Sequence, residues 1–167
     1  ECDILARDYI AERRSSIFYP PCNQAFQSLD YNSANALNKK ITGKGLSKQS
    51  WFLFDKMREA EFQALAKKSI FEGHPECSFT KINGSPMKQN KSSLKGLFTR
   101  IKCLASIGFK IESLSDFLPE YINAAPDDLV DAAILCWSAS RISSQQAFSF
   151  PKTPVKNSKG LTLAIFV

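Results

Sequence analysis

Histidine is almost missing from this sequence: His74 is the only one among 167 residues. One imidazole excludes a multi-histidine zinc site, and with no nucleophile motif it leaves acyl transfer without machinery. Cysteine is sparse and scattered. Cys2, Cys22, Cys77, Cys103 and Cys136 are odd in number and form no Cys-x-x-Cys pair, which excludes a disulfide framework and predicts buried, reduced thiols in a cytoplasmic protein. Long apolar runs are absent too. The longest, LTLAIFV at residues 161–167, is far too short to span a bilayer, and no leader pattern opens the chain, so neither secretion nor membrane insertion is expected. The glycine-rich phosphate signatures are lacking: TGKGLS at residues 42–47 has the wrong spacing for a phosphate loop, and no Gly-x-Gly-x-x-Gly or Gly-x-Ser-x-Gly occurs. The chain opens on Glu1 rather than methionine, so processing, a cut boundary or a missing upstream segment is expected before it.

What is present is ordinary for a folded protein. With 44% hydrophobic and 23% charged residues, the chain is expected to form a single domain over residues 1–167. The net charge of +6 is unevenly placed. Residues 81–110 carry Lys81, Lys88, Lys91, Lys95, Arg100, Lys102 and Lys110 and no acid, whereas residues 111–131 carry Glu112, Asp116, Glu120, Asp127, Asp128 and Asp131 and no base. A basic surface beside an acidic cluster suits a polyanion held by bases near carboxylate-bound metal; a solvated helix face followed by helix-start acids has the same composition.

Apolar spacing predicts a short helix over residues 2–11, and the paired Pro20 and Pro21 make residues 13–23 an ordered loop. Residues 25–40 read as helix, stopped by Gly43 and Gly45. Ser47 caps a further helix whose stripe of Trp51, Phe54, Met57, Phe62 and Leu65 should face the core. Residues 69–74 read as a strand broken at Pro75. Asn83, Gly84 and Pro86 mark a turn, and residues 93–106 form an amphipathic helix presenting Leu94, Leu97, Ile101 and Leu104. A helical turn is expected at residues 116–122. Pro126 then opens a helix to about Arg141, residues 143–160 read as a long loop, and residues 161–167 close the chain as a strand. Two strands cannot form a self-sufficient sheet, so the fold should be mainly helical or its strands should pair outside the chain.

Three groups carry candidate chemistry. In DDLVDA, Asp127 and Asp131 lie four apart on a helix and Asp128 and Asp131 three apart, so two carboxylates can converge on one hard cation, Mg²⁺ or Mn²⁺. In FEGHPECSF, Glu72, His74 and Glu76 share a face if the extended backbone continues past Pro75. In RRSS, Arg13, Arg14, Ser15 and Ser16 offer guanidinium and hydroxyl groups to phosphate.

In order along the chain, CDxxAR (Cys2, Asp3, Ala6, Arg7), RRSSIF, YxxANALNxxxTGKGLSxQ, KMRE, HPExSF, KSSLKG followed by Arg100, and DDxxDA resemble a family of proteins of unknown function predicted to be ribonuclease H-like nucleases. The resemblance covers about residues 2–142. It implies an α/β class, mostly helical, a partial ribonuclease H-like fold with few strands whose sheet a partner chain would complete. It also implies a metal-dependent phosphodiester hydrolase in which Asp128 and Asp131, with Asp127 as a third, hold Mg²⁺ or Mn²⁺. Asp128, Asp131 and Glu76 are the catalytic candidates; Arg13, Arg14, Ser15, Ser16, His74, Lys91 and Arg100 are the candidates for binding DNA or RNA. The family's first strand, with an Asp-x-Gly-like motif, and its second acidic strand, followed by a Gly-Leu-Pro turn, precede the CDxxAR helix and are not in these 167 residues. A chain without them is expected to bind metal weakly. The alternative expectation is therefore a non-catalytic nucleic-acid-binding or self-associating protein, and a homodimer joined at strand edges.

Overall fold

The computed structural model describes residues 1–66, 69–110, 112 and 124–167. They are mostly helical with one small mixed sheet, and the chain divides into two compact units. The helical turn expected at residues 116–122 lies outside the described residues.

The first unit comprises residues 1–17, 71–155 and 162–167. Helix α1 (Cys2–Tyr9) runs into a 3-10 helix (Ala11–Ser16), and the Arg7 guanidinium donates to the Ile17 carbonyl behind it. Strand β1 (Glu72–Gly73) is only two residues long because Pro75, whose ring suits the first position of a helix, opens α6 (Pro75–Asn83) at once. This corrects the strand expected over residues 69–74: the extended backbone does not pass Pro75, so Glu72 and Glu76 do not alternate on one strand face. Helix α6 ends on Gly84, whose φ of 72° is a left-handed stop that costs glycine no Cβ clash. Helix α7 (Leu94–Ser106) starts where Ser93 Oγ accepts the Gly96 N–H at 3.1 Å. Helix α8 (Pro126–Ser143) starts at the expected proline. The phenyl of Phe79 and the side chains of Met87, Leu104, Val130 and Ile134 form the core among α6, α7 and α8. Between α6 and α8, Ser78 and Ser138 share a buried hydrogen bond of 2.7 Å. Leu104 is buried on the predicted face of α7, but Leu94, in its first turn, is 72% exposed.

Strands β2 (Ser149–Lys156) and β3 (Thr162–Phe166) complete the sheet in the order β1-β3-β2. β1 and β3 run parallel, Glu72 opposite Ile165 and Gly73 opposite Phe166. Beside them Phe148 and Val167 exchange two N–H···O bonds of 3.1 and 2.9 Å, an antiparallel narrow pair. The two expected strands thus pair with each other, and a third, β2, replaces the middle of the loop expected over residues 143–160. Pro151 and Pro154 are tolerated there because β2 is an edge strand, where a residue without an N–H need not fill a ladder position. Ala6, Ile10, Ile17, Cys77, Ile165 and Val167 pack a second core between α1, α6 and β3.

The second unit, residues 18–70 with the hairpin tip 156–161, holds α2 (Asn23–Phe26), α3 (Tyr31–Thr42), α4 (Lys48–Phe52) and α5 (Phe54–Ala66). The single helix expected over residues 25–40 is two, because Asp30 takes extended backbone and caps α3 by accepting the Ser33 N–H. Ser47 caps α4 as expected. Ala25, Ala34, Leu46 and Phe54 are buried together with Trp51 and Met57 against them, but Phe62 and Leu65, expected in the same stripe, are exposed.

All five cysteines are free thiols. Cys77 and Cys103 are buried, and burial pushes the Cys77 thiol up to about 12; Cys136 is exposed, unlike the buried thiols expected. Among the described residues no helix is long and apolar enough to cross a membrane.

Candidate functional site

Four segments of the first unit supply the candidate residues: the Ala11–Ser16 turn, the start of α6, the connection from α6 to α7, and the start of α8. At the last of these, Asp127 and Asp128 sit in the first helical turn, where the helix dipole favours negative charge. Asp127 and Asp131, one turn apart, aim their Oδ2 atoms at a single cation, the Lys91 ammonium, at 3.1 and 2.7 Å. Asp128 is exposed and stands outside that contact. The Asp131 carboxyl is 19% exposed, and its other oxygen, Oδ1, is buried without a partner. Burial opposes the charge on Lys91, but its hydrogen bonds to Asp131 and Asp127 prevail and hold its pKa above the ordinary lysine value.

Glu76, in the first turn of α6, is buried. Its Oε1 accepts from Arg100 Nη2 at 2.5 Å, with Arg13 Nη2 at 4.0 Å, while Oε2 is buried and unpartnered. Arg100 is 1% exposed; it also donates to the carbonyls of Gly96 at 3.0 Å and Gln89 at 3.3 Å and lies over the Phe79 ring. The residue that composition grouped with surface bases is therefore the buried partner of a carboxylate.

His74 precedes α6 and turns Nε2 to the Ser16 carbonyl at 3.3 Å. A carbonyl only accepts, so the neutral ring carries its proton on Nε2 and leaves a lone pair on Nδ1, which is buried and unpartnered. Burial lowers the His74 pKa in spite of the Ser16 carbonyl and the Glu76 and Asp131 charges, with Lys91 adding to the decrease. The charges of Glu76, Asp131 and Lys91 all act on His74. Arg13 is half-buried, Ser16 contributes its carbonyl, and Arg14 and Ser15 are exposed. Sequence reasoning missed Gln89 and Gly96, whose roles are played by main-chain carbonyls and carry no side-chain signal.

The lowered pKa has a thermodynamic consequence. The unfolded chain takes up a proton on His74 near pH 6.5 and the folded chain only at lower pH, so stability should fall as pH drops below 6.5 toward the folded value. Urea melts between pH 7.5 and 5.5 should show this slope, and His74→Asn should flatten it over that window; an unchanged slope in the variant would assign it to other groups.

The donor set can be tested against a divalent ion. Asp127 and Asp131 offer hard oxygens that already converge on one positive charge, and Asp131 Oδ1 is orphaned. Among the described residues no set of three or more His, Cys, Asp or Glu side chains is grouped to hold a metal. The residues therefore fit Mg²⁺ or Mn²⁺ held by two carboxylates with water and substrate oxygens, not an ion caged by protein.

No curated protein and no solved structure matches the chain significantly. A family model described as "Protein of unknown function (DUF429)" matches residues 1–156, nearly the whole chain, and the chain belongs to that family.

Proposed function

We propose that this chain carries the carboxylate centre of a ribonuclease H-like, divalent-metal-dependent nuclease. The observation that carries the reading is the convergence of Asp127 and Asp131 on one cation position beside an orphaned carboxylate oxygen. Bound there, Mg²⁺ or Mn²⁺ would polarise a phosphodiester and acidify a water. The protein's part is to position. Asp127 and Asp131 hold the ion, with Asp128 adding negative charge at the helix start. Arg13, Arg14, Ser15 and Ser16 offer donors to the nucleic-acid backbone, and Lys91 offers an ammonium next to the aspartate pair. Arg100 reaches no phosphate, being buried; it holds the Glu76 carboxyl group in place. His74 anchors the RRSS turn through the Ser16 carbonyl.

A second reading, a non-catalytic nucleic-acid-binding or self-associating protein, draws support from Lys91, which already neutralises the aspartate pair without any metal. The outer strands β1 and β2 offer edges through which two copies could pair.

Cleavage of single-stranded DNA and of RNA with Mn²⁺, for the wild type and for Asp127→Asn with Asp131→Asn, separates the readings. The nuclease reading expects metal-dependent cleavage that falls by about 100-fold or more in the double variant. Equal residual cleavage in both proteins would remove the site. No cleavage together with steeply salt-dependent binding would favour the second reading.

A further inference from the structure

We infer that Lys91 is a resident counter-ion that a divalent cation must displace from Asp127 and Asp131, so that the ammonium becomes free to meet an anionic substrate only when the ion is bound. The inference rests on the metal-binding part of the proposed function and adds a regulation of that site.

Occupancy is the first ground. The ammonium lies 3.1 Å from Asp127 Oδ2 and 2.7 Å from Asp131 Oδ2. A Mg²⁺ ion draws its oxygens to about 2.0–2.1 Å, so ion and ammonium cannot share the position between these two atoms. Mobility is the second. Lys91 is on the connection between α6 and α7, outside either helix, and its side chain is 35% exposed, so a flexible four-carbon stem can swing the charge outward without unwinding a helix.

The third ground is that the ammonium satisfies the seat incompletely. Asp131 Oδ1 is buried and has no donor. The seat holds one unfilled carboxylate oxygen besides the two that Lys91 serves. A hydrated divalent ion brings twice the charge and several water donors to the same place, which a lysine cannot do. Lys91 therefore keeps the two aspartates from repelling each other in the metal-free protein and sets a threshold that the metal has to exceed.

The test reads metal binding rather than cleavage. Free Mn²⁺ is measured by its electron paramagnetic resonance signal during titration of the full chain, for the wild type, Lys91→Met, Lys91→Gln and Asp127→Asn with Asp131→Asn. Removing the competing ion pairs should tighten Mn²⁺ binding by about tenfold in either lysine variant, and the aspartate variant should lose it. The wild type supplies a readout that needs no variant: acetylation of Lys91, followed by mass spectrometry, should rise several-fold when Mn²⁺ is added. Lysine variants that bind Mn²⁺ no more tightly than the wild type, or Lys91 labelling unchanged by saturating Mn²⁺, would overturn the inference, and so would a complete absence of Mn²⁺ binding. Tighter binding in Lys91→Met with no cleavage of nucleic acid by any of the proteins would uphold it while overturning the nuclease reading.

Discussion

Replacing Arg100 with methionine should cost the fold about 3–5 kcal/mol, a large share of the 5–15 kcal/mol that holds a typical domain together. Methionine keeps an apolar stem in place of the arginine's, although not the guanidinium that lies over Phe79, so most of the loss is not one of cavity. It comes from the Glu76 carboxylate. That group is buried, Oε1 would lose its guanidinium partner, and Oε2 has none to begin with. Arg13, at 4.0 Å and only partly buried, is too distant to replace a hydrogen-bonded partner. The carbonyls of Gln89 and Gly96 would also lose a donor. Removing both charges should be far milder than removing one: Glu76→Leu with Arg100→Met should recover most of the stability, since the expense of the single change is an unpaired buried charge rather than the missing attraction. Denaturant melts of the single and double variants check this. An Arg100→Met protein within 1 kcal/mol of the wild type would mean that Glu76 does not depend on Arg100 for its partner.

The same residue shows where the sequence was readable and where it was not. Ser93, Ser47 and Pro126 are local signals, each acting within one helical turn, and each opens the helix it was expected to open. The burial of Arg100 is tertiary, and a count of bases over residues 81–110 hides it. Helical position does hint at it: Arg100 stands three residues after Leu97 and three before Cys103, both on the side that packs into the core. Strand β2 failed to announce itself because its two prolines are loop signals everywhere except at a sheet edge, and the edge exists only once β3 is in place. Helix α6 was hidden by a motif read as one extended face, although Pro75 marks a helix start as well as a strand end. At the candidate site, spacing alone allowed Asp127 or Asp128 to converge with Asp131. The position of Lys91 singles out Asp127, and that position depends on the connection between α6 and α7, which has no periodicity to read. The chemistry-bearing residues were visible as types; their pairing was not.

Changing Gly96 to alanine should destabilise the protein by about 3 kcal/mol, the reverse of what helix propensity alone gives. In an exposed helix interior alanine would be favoured over glycine by about 1 kcal/mol. Here a Cβ on residue 96 would lie 1.9 Å from the Asn90 carbonyl oxygen and 2.7 Å from its carbon, distances at which backbone has to move. That carbonyl is not free to retreat, because it accepts both the Ser93 N–H at 3.0 Å and the Ser93 hydroxyl at 2.7 Å, the bonds that set the entry to α7. Its neighbours on either side matter to the site: Gln89 accepts from Arg100, and Lys91 bridges Asp127 and Asp131. Pushing Asn90 aside therefore loosens the buried arginine and the aspartate pair together, so in Gly96→Ala the melting temperature should fall and the protection of Lys91 from acetylation should fall with it. A variant as stable as the wild type, with Lys91 as protected as before, would show that the segment from Gln89 to Lys91 can withdraw from α7 intact, and the close approach of Asn90 to Gly96 would then have no part in holding the site.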